Sequence, residues 1–255
     1  MQTNPFALVG SVALVTGANR GLGWAIALDL ARAGADIALG VRDAASARGI
    51  AAEIERAGRR AAVIEFDVRD LEQGGLAVAE AVETLGGLDI LVNNAGGGIG
   101  GPAIDVTPED FDAVWALNTR AVFFLSQSAA RSMATSGGGS IINIASQAGL
   151  VALPGESSYC ISKAAVIHMT RVLAVEWGEL GIRVNAVAPT FIETDGTSAA
   201  LGDPGFRADV VERIAALHRI GVPDEVAGAV TFLASPAASL ITGVTLPIDG
   251  GWTSR

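Results

Sequence analysis

The sequence predicts an α/β protein with a buried parallel sheet and helices on both of its faces. Three observations carry that prediction. Short apolar runs rich in β-branched residues recur along the chain, stretches of helical periodicity separate them, and glycines mark the joints. Strands alternating with helices at this period form βαβ units with right-handed crossovers, and a ligand of such a sheet belongs at the carboxyl ends of its strands.

Taken in order, Ser11 to Thr16 reads as a first strand, Gly17-Ala18-Asn19-Arg20-Gly21-Leu22-Gly23 as a glycine turn, and Trp24 to Ala33 as an apolar-periodic helix. Glycines let a backbone turn tightly and approach a ligand, and free N–H groups at a helix start favour phosphate. Asp36 to Val41 is a second strand, Asp43 to Ala57 a helix ended by Gly58, and Ala61 to Phe66 a third strand. Leu71 to Leu85 is a helix ended by Gly86-Gly87, and Leu88 to Val92 a fourth strand running into Asn93-Asn94-Ala95-Gly96. Capping signals at Thr107-Pro108-Glu109-Asp110 open a helix that runs to about Met133, and Gly137-Gly138-Gly139 breaks the chain before a fifth strand, Ser140 to Ala145. A helix through Tyr159 continues to Trp177, and Ile182 to Ala188 is a sixth strand ending at Pro189. Residues 190–222 have weak periodicity and many turn formers, and read as a mobile flap over the site. Pro223 to Ala234 is a helix, and Val244 to Ile248 a last strand before Asp249-Gly250-Gly251-Trp252. With no linker-like stretch and no repeat, residues 1–255 read as one domain.

Composition narrows the function. Half the residues are hydrophobic and 17% are charged, a globular balance, and the net charge of −10 argues against a nucleic-acid binder. Met1 to Gly10 has neither a positive start nor a long apolar stretch, and no later run has the length of a membrane span, so a soluble cytoplasmic chain without a membrane partner is expected. Cys160 is the only cysteine, which excludes an internal disulfide and leaves no cysteine-based metal site; its place beside Tyr159 suggests burial. The acids Glu193, Asp195 and Asp203 show no metal-ligand spacing.

The chemistry gathers at Tyr159-Cys160-Ile161-Ser162-Lys163. Residues four apart share a helix face, so the Tyr159 hydroxyl and the Lys163 ammonium can meet. A phenol ionises near pH ~10, and a nearby cation favours the phenolate; a shift of ~3 units corresponds to roughly 4 kcal/mol. Cofactor choice falls at the end of the second strand. An NAD site carries an acid there to bind ribose hydroxyls, whereas an NADP site needs a cation for the 2′-phosphate. Arg42 stands at that point and Arg20 lies inside the glycine turn, so NADP is favoured, with Asp43 as the dissenting residue.

Together these stretches resemble the short-chain dehydrogenase/reductase family over about Val12 to Trp252. The resemblance rests on Thr16-Gly17-x-x-x-Gly21-x-Gly23, Asn93-Asn94-Ala95-Gly96, Asn118, Ser146, Tyr159-x-x-x-Lys163 and Pro189. It implies a Rossmann fold with a seven-stranded parallel sheet in the order 3-2-1-4-5-6-7, a nicotinamide cofactor, and hydride exchange between an alcohol and a carbonyl. It also implies roles. Ser146 hydrogen-bonds the substrate oxygen, and Tyr159 is general acid in reduction and base in oxidation. Lys163 binds the nicotinamide ribose and lowers the tyrosine pKa, and Asn118 anchors a proton-relaying water. Gly17, Asn19, Arg20, Gly21, Leu22, Gly23 and Arg42 are the expected phosphate and ribose contacts. Asp67 and Val68 flank the adenine, Asn94, Ala95 and Gly96 support the cofactor, and Pro189, Thr190, Ile192 and Thr194 border its carboxamide. Thr190 departs from the family's usual glycine after the proline.

For the substrate, the resemblance is greatest to the gluconate, deoxygluconate and glucose dehydrogenases, which points to a sugar, sugar acid or polyol. A 3-oxoacyl thioester reductase is the alternative, for which Arg207, Arg213 and Arg219 would have to form a basic patch. A non-catalytic NADP-sensing module is a remote third reading. Gln147, Glu156 and Ser157, with His218 and Arg219 at the end of the flap, are candidate substrate contacts, whereas His168 reads as packed or interface-facing. The family commonly forms homotetramers, for which the helices from Phe111 to Met133 and Ile161 to Trp177, and Trp252, offer apolar contacts.

Overall fold

The computed structural model describes residues 4–254. Seven strands form one parallel sheet: β1 (Val12–Thr16), β2 (Asp36–Val41), β3 (Ala61–Glu65), β4 (Ile90–Asn93), β5 (Gly139–Ile144), β6 (Ile182–Pro189) and β7 (Thr245–Ile248). Their spatial order is β3-β2-β1-β4-β5-β6-β7, as the family resemblance implied. The direction of winding reverses between β1 and β4, which pair with Leu14 beside Leu91, and the crevice that opens there is the expected ligand site.

The helices are α1 (Gly21–Arg32), α2 (Arg48–Arg56), α3 (Leu71–Leu85), α4 (Pro108–Trp115), α5 (Ala121–Ser136), α6 (Ser157–Glu176), α7 (Asp195–Leu201), α8 (Pro204–Arg213) and α9 (Pro223–Ala234). Alternation along β1 sends its side chains to two separate cores. Ala13 and Val15 pack with Ile26 and Leu30 of α1, Ile50 and Ile54 of α2, and Val226 and Val230 of α9. Val12 and Leu14 pack on the opposite face with Val78 and Ala81 of α3, Leu125 and Met133 of α5, and Leu173 of α6. A strand buried on both faces must be apolar throughout, which explains why these strands stand out as continuous runs.

The centre of the sheet nonetheless holds polar side chains, and they satisfy one another. Asn93 Nδ2 donates to Asn143 Oδ1 at 2.8 Å and Ser126 Oγ at 2.9 Å, and Asn143 Nδ2 donates to Thr170 Oγ1 at 2.9 Å. Each buried amide is thereby paired, tying β4 and β5 to α5 and α6.

Four segments differ from the sequence reading. Helix α1 starts at Gly21 and not at Trp24, because the glycine turn itself supplies the first helical residues. The expected helix from Asp43 opens instead with a 3-10 turn, Ala44–Ala47, capped by the Asp43 carboxylate, and becomes α-helical at Arg48. The helix expected between Thr107 and Met133 contains a π turn, Ala116–Arg120, that separates α4 from α5 and carries Asn118. Residues 190–222 hold two helices, α7 and α8, rather than irregular chain. Each is too short to leave a periodic signal, and Asp203 caps α8 by accepting from Phe206 N at 2.7 Å. Their apolar side chains Leu201, Val210 and Ile214 pack around Trp252, so Trp252 is buried in this small cluster and unavailable as a subunit contact. No described helix is long and apolar enough to cross a membrane.

Candidate active site

The glycine turn between β1 and α1 is clamped to the end of β4. Thr16 Oγ1 accepts from the main-chain N–H groups of Asn94 and Ala95, both at 3.0 Å, and Asn94 Nδ2 donates to Thr16 O at 2.8 Å and Gly17 O at 3.3 Å. Gly17 (φ +65°) and Gly21 (φ +55°) adopt left-handed backbone that a side chain would strain. At Gly23 a Cβ would lie 2.1 Å from Gly17 O, so the turn closes only with glycine there. Arg20 caps α1 without a side-chain hydrogen bond and the first turn carries no acid. The leading N–H groups and the positive end of the helix dipole thus face the crevice, an arrangement suited to a phosphate.

A cavity of about 710 Å³ runs along this crevice. Gly17, Asn19, Arg20, Gly21, Leu22 and Gly23 line its middle, and Arg42, Asp67 and Val68 line one end. Asn94, Ala95, Gly96, Ser146, Tyr159 and Lys163 line the other end, and Pro189, Thr190, Ile192 and Thr194 form the covering wall. At the Arg42 end, Asp43 directs Oδ1 to Ala45 N at 2.9 Å, so the carboxylate that contested the cofactor assignment serves as a cap. The sequence reading missed several wall residues at this end, among them Ser46 and Arg69. Arg69 Nη2 meets Asp67 Oδ2 at 2.6 Å, and that hydrogen-bonded pairing holds the Asp67 carboxyl below its ordinary range. A loop arginine two residues past an aspartate carries no sequence signal of its own.

At the opposite end, β5 and α6 bring Ser146, Tyr159 and Lys163 together. Ser146 is 8% exposed; its Oγ donates to Gln147 Oε1 at 2.9 Å and accepts from Ala148 N at 3.1 Å. Lys163 is 5% exposed, its Nζ donates to Ile144 O at 2.7 Å, and it lies 5.6 Å from the Tyr159 ring centroid. Burial pushes the Tyr159 phenol above its ordinary value, hydrogen bonding with Ser146 pulls it back, and the neighbouring Glu156 charge pushes it up again. Burial alone holds the Lys163 ammonium down, from 10.5 to about 8. The Lys163 charge is not among the contributions felt by the phenol. The ammonium is committed to a main-chain carbonyl and lies beside the ring, and desolvation penalises the charged form of both groups.

Asn118 is fully buried and lines no part of the cavity. Its Nδ2 donates to Gly97 O at 2.8 Å and Ser162 Oγ at 2.9 Å, and its Oδ1 accepts from Gly97 N at 3.1 Å. The side chain therefore joins the loop after β4 to α6 one position before Lys163.

Other candidates fall away from the cavity. Arg219 makes two hydrogen bonds to Glu225, with Nη2–Oε1 at 2.5 Å, and His218 is exposed with φ +48°. Arg207 pairs with Glu193 at 3.3 Å and Arg213 with Asp209 at 2.8 Å, so the three arginines of the expected basic patch are each neutralised. His168 is exposed on α6, and Cys160 is half-buried rather than enclosed. Among the described residues no group of three potential metal ligands gathers.

A family model described as enoyl-(acyl carrier protein) reductase matches residues 17–253. The chain is 41% identical to a D-threitol dehydrogenase of Mycolicibacterium smegmatis, over 98% of this chain and 95% of that protein. It is 40% identical to a 2-dehydro-3-deoxy-D-gluconate 5-dehydrogenase of Dickeya dadantii, over the full length of both. Among solved structures it is similar to a gluconate 5-dehydrogenase of Burkholderia cenocepacia in complex with NADP and tartrate, with TM-score 0.94, 37% identity and 98% of each chain covered.

Proposed function

The chain belongs to the short-chain dehydrogenase/reductase family, and from that membership we propose how its residues carry out the family's reaction on a sugar, sugar acid or polyol. It is an oxidoreductase of CH–OH groups that uses a nicotinamide cofactor. The observation that carries the assignment of roles is the convergence of Ser146, Tyr159 and Lys163 at one end of the crevice that begins at the glycine turn.

The cofactor, when bound, accepts or supplies the hydride. The Ser146 hydroxyl donates to the substrate oxygen, stabilising the charge that builds there as the carbonyl is reduced. Tyr159 hands its proton to that oxygen in reduction and withdraws it in oxidation. A phenol held neutral by burial is suited to the acid role. Lys163, seated on Ile144 O beside the tyrosine ring, binds the ribose hydroxyls and biases the phenol when charged. Asn118 holds Gly97 against α6 and keeps that wall in register, with the π turn supporting a relaying water. Thr190 Oγ1, buried and without a hydrogen-bond partner, is a group waiting for one, and the cofactor's carboxamide is the nearest fit in the wall it forms with Ile192 and Thr194.

NADP is the preferred cofactor in this reading, supported by Arg42 and Arg20 in the cavity wall, where Asp43 engages Oδ1 as the cap of the following turn. A homotetramer is also part of it. Ile161, Val172 and Val175 on α6 and Phe124 on α5 leave between 38% and 83% of their surface open, the pattern of helix faces that await a subunit. Light scattering reads that state directly, and a monomer would count against it. A cytoplasmic site accords with the lone free cysteine. Thioester reduction on an acidic carrier protein is the weaker reading, since the flap arginines are paired with acids.

The test is nicotinamide absorbance with NADP and NAD in parallel, against polyols, sugars, sugar acids and a 3-oxoacyl thioester. Turnover of a polyol or sugar substrate with NADP is expected. Tight cofactor binding without turnover on any of them would support the sensing module instead.

A further inference from the structure

Glu156 stands three residues ahead of Tyr159, at the residue that opens α6, and its carboxylate is pressed against the loop that follows β4. A Cβ on Gly98 would lie 3.1 Å from Glu156 Oε2 and 3.3 Å from both Cβ and Cδ2 of Tyr159. A Cβ on Gly100 would lie 3.0 Å from Glu156 Oε1. The loop is held there by Gly101 N, which donates to Gly155 O at 2.7 Å. Gly97, next to Gly98, lines the cavity. Glycines at Gly98 and Gly100 thus leave room for this acid beside the Tyr159 side chain, where a Cβ would crowd it.

Among the described residues the carboxylate has no protein partner: no cation pairs with it and no donor reaches it, and burial raises its pKa with no opposing contribution. Its charge is felt at Tyr159, whose phenol it pushes upward. A half-buried carboxylate without a protein partner keeps its oxygens free to accept from a ligand hydroxyl in place of water.

The cations tell the same story from the other side. Arg20, Arg42 and Arg69 line the cavity away from the catalytic end, and Lys163 is committed to Ile144 O. Arg207, Arg213 and Arg219 of the covering segment are each paired with an acid. A substrate bearing its own carboxylate would meet at this end only one cation of the cavity lining, Lys163, already engaged by Ile144 O, with the Glu156 charge just behind Gly97 and Tyr159.

We propose that Glu156 is a specificity-determining residue that selects neutral polyhydroxylated alcohols, and the ketones formed from them, by accepting a hydrogen bond from a substrate hydroxyl and repelling sugar acids. This rests on the oxidoreductase reading above and narrows it to one of the substrate classes that reading admits. Replacement by glutamine keeps the shape and an acceptor oxygen but removes the charge, so it separates repulsion from packing.

The experiment measures kcat/KM with NADP for a four- to six-carbon polyol and for a sugar acid of the same length, in the wild type and in Glu156→Gln. Tyr159 is the only tyrosine, so tyrosinate absorbance of each protein also reports whether the carboxylate faces the phenol. The wild type is expected to favour the polyol by at least ~10-fold. In Glu156→Gln that preference is expected to shrink ~10-fold, chiefly through KM for the acid, and the Tyr159 titration to move to lower pH. A wild type that turns over the acid as well as the polyol overturns the proposal while leaving the oxidoreductase reading intact. So does an unchanged preference in Glu156→Gln. Failure of the wild type on both substrates overturns the polyol and sugar-acid reading above, and this proposal with it.

Discussion

Lys163 Nζ donates to the main-chain oxygen of Ile144 at 2.7 Å, so the ammonium carried by α6 is seated on the last residue of β5. Lys163 is the only lysine in the chain and Tyr159 the only tyrosine, and they occupy the same site. Each can therefore be followed without interference from others of its kind.

The tyrosine titration is the first consequence. Burial raises the phenol and the Glu156 charge adds to the rise. In protein without added cofactor, tyrosinate absorbance is expected to develop above pH ~10, the ordinary value. A midpoint well below that would mean that Lys163 dominates the phenol, as the sequence alone suggested.

Lys163 gives stability a pH dependence of definite sign. Its pKa is about 8 in the fold and 10.5 as an ordinary lysine. Between those values the unfolded chain holds more protons than the folded one, so stability rises with pH across that window. Below about 8 both states are protonated and the fold carries the whole penalty of the buried charge, on the order of 3 kcal/mol. Denaturation midpoints measured from pH 7 to 10 are expected to rise in the wild type, and this rise is expected to disappear in Lys163→Met.

Arg42 is exposed in the cavity wall, next to a carboxylate already used as a cap. Arg42→Ala is expected to lower kcat/KM for NADP by about 10- to 100-fold, the worth of a lost charge-assisted contact, with little change for NAD. Equal losses with both cofactors would place the arginine elsewhere in the mechanism.

Asn143 joins β5 to Asn93 of β4 and to Thr170 of α6. Asn143→Leu removes the acceptor of Asn93 Nδ2 and the donor to Thr170 Oγ1. Leaving such buried groups incomplete is expected to cost about 2–4 kcal/mol, read as a lower thermal midpoint. A neutral effect would show that Ser126 and Val166 O suffice as partners.

Much of this arrangement was legible because burial on both sheet faces writes strands as apolar runs and because glycine and proline mark helix ends. The bounds of β2, α3 and α9 agree with the sequence reading to the residue. Where local signals are weak, the reading failed for identifiable reasons. Gly21 and Gly23 are poor helix formers, yet they begin α1 because the turn is clamped by Thr16 and Asn94. The π turn around Asn118 leaves the apolar spacing of α4 and α5 nearly unbroken, so periodicity passes over it. Ser146, Tyr159 and Lys163 could be named from spacing and family resemblance. The seat of Lys163 on a carbonyl, the pairing of Arg69 with Asp67 and the isolation of Glu156 depend on tertiary packing, which spacing does not encode.

The central claim is that Tyr159 transfers the proton while hydride moves to or from the nicotinamide. It is tested most directly by Tyr159→Phe, with polyol-dependent NADP reduction followed by absorbance and cofactor binding followed by fluorescence. The account expects kcat to fall by at least ~10³-fold, with the cofactor dissociation constant within about threefold of wild type. A variant that retains most of its turnover would contradict it.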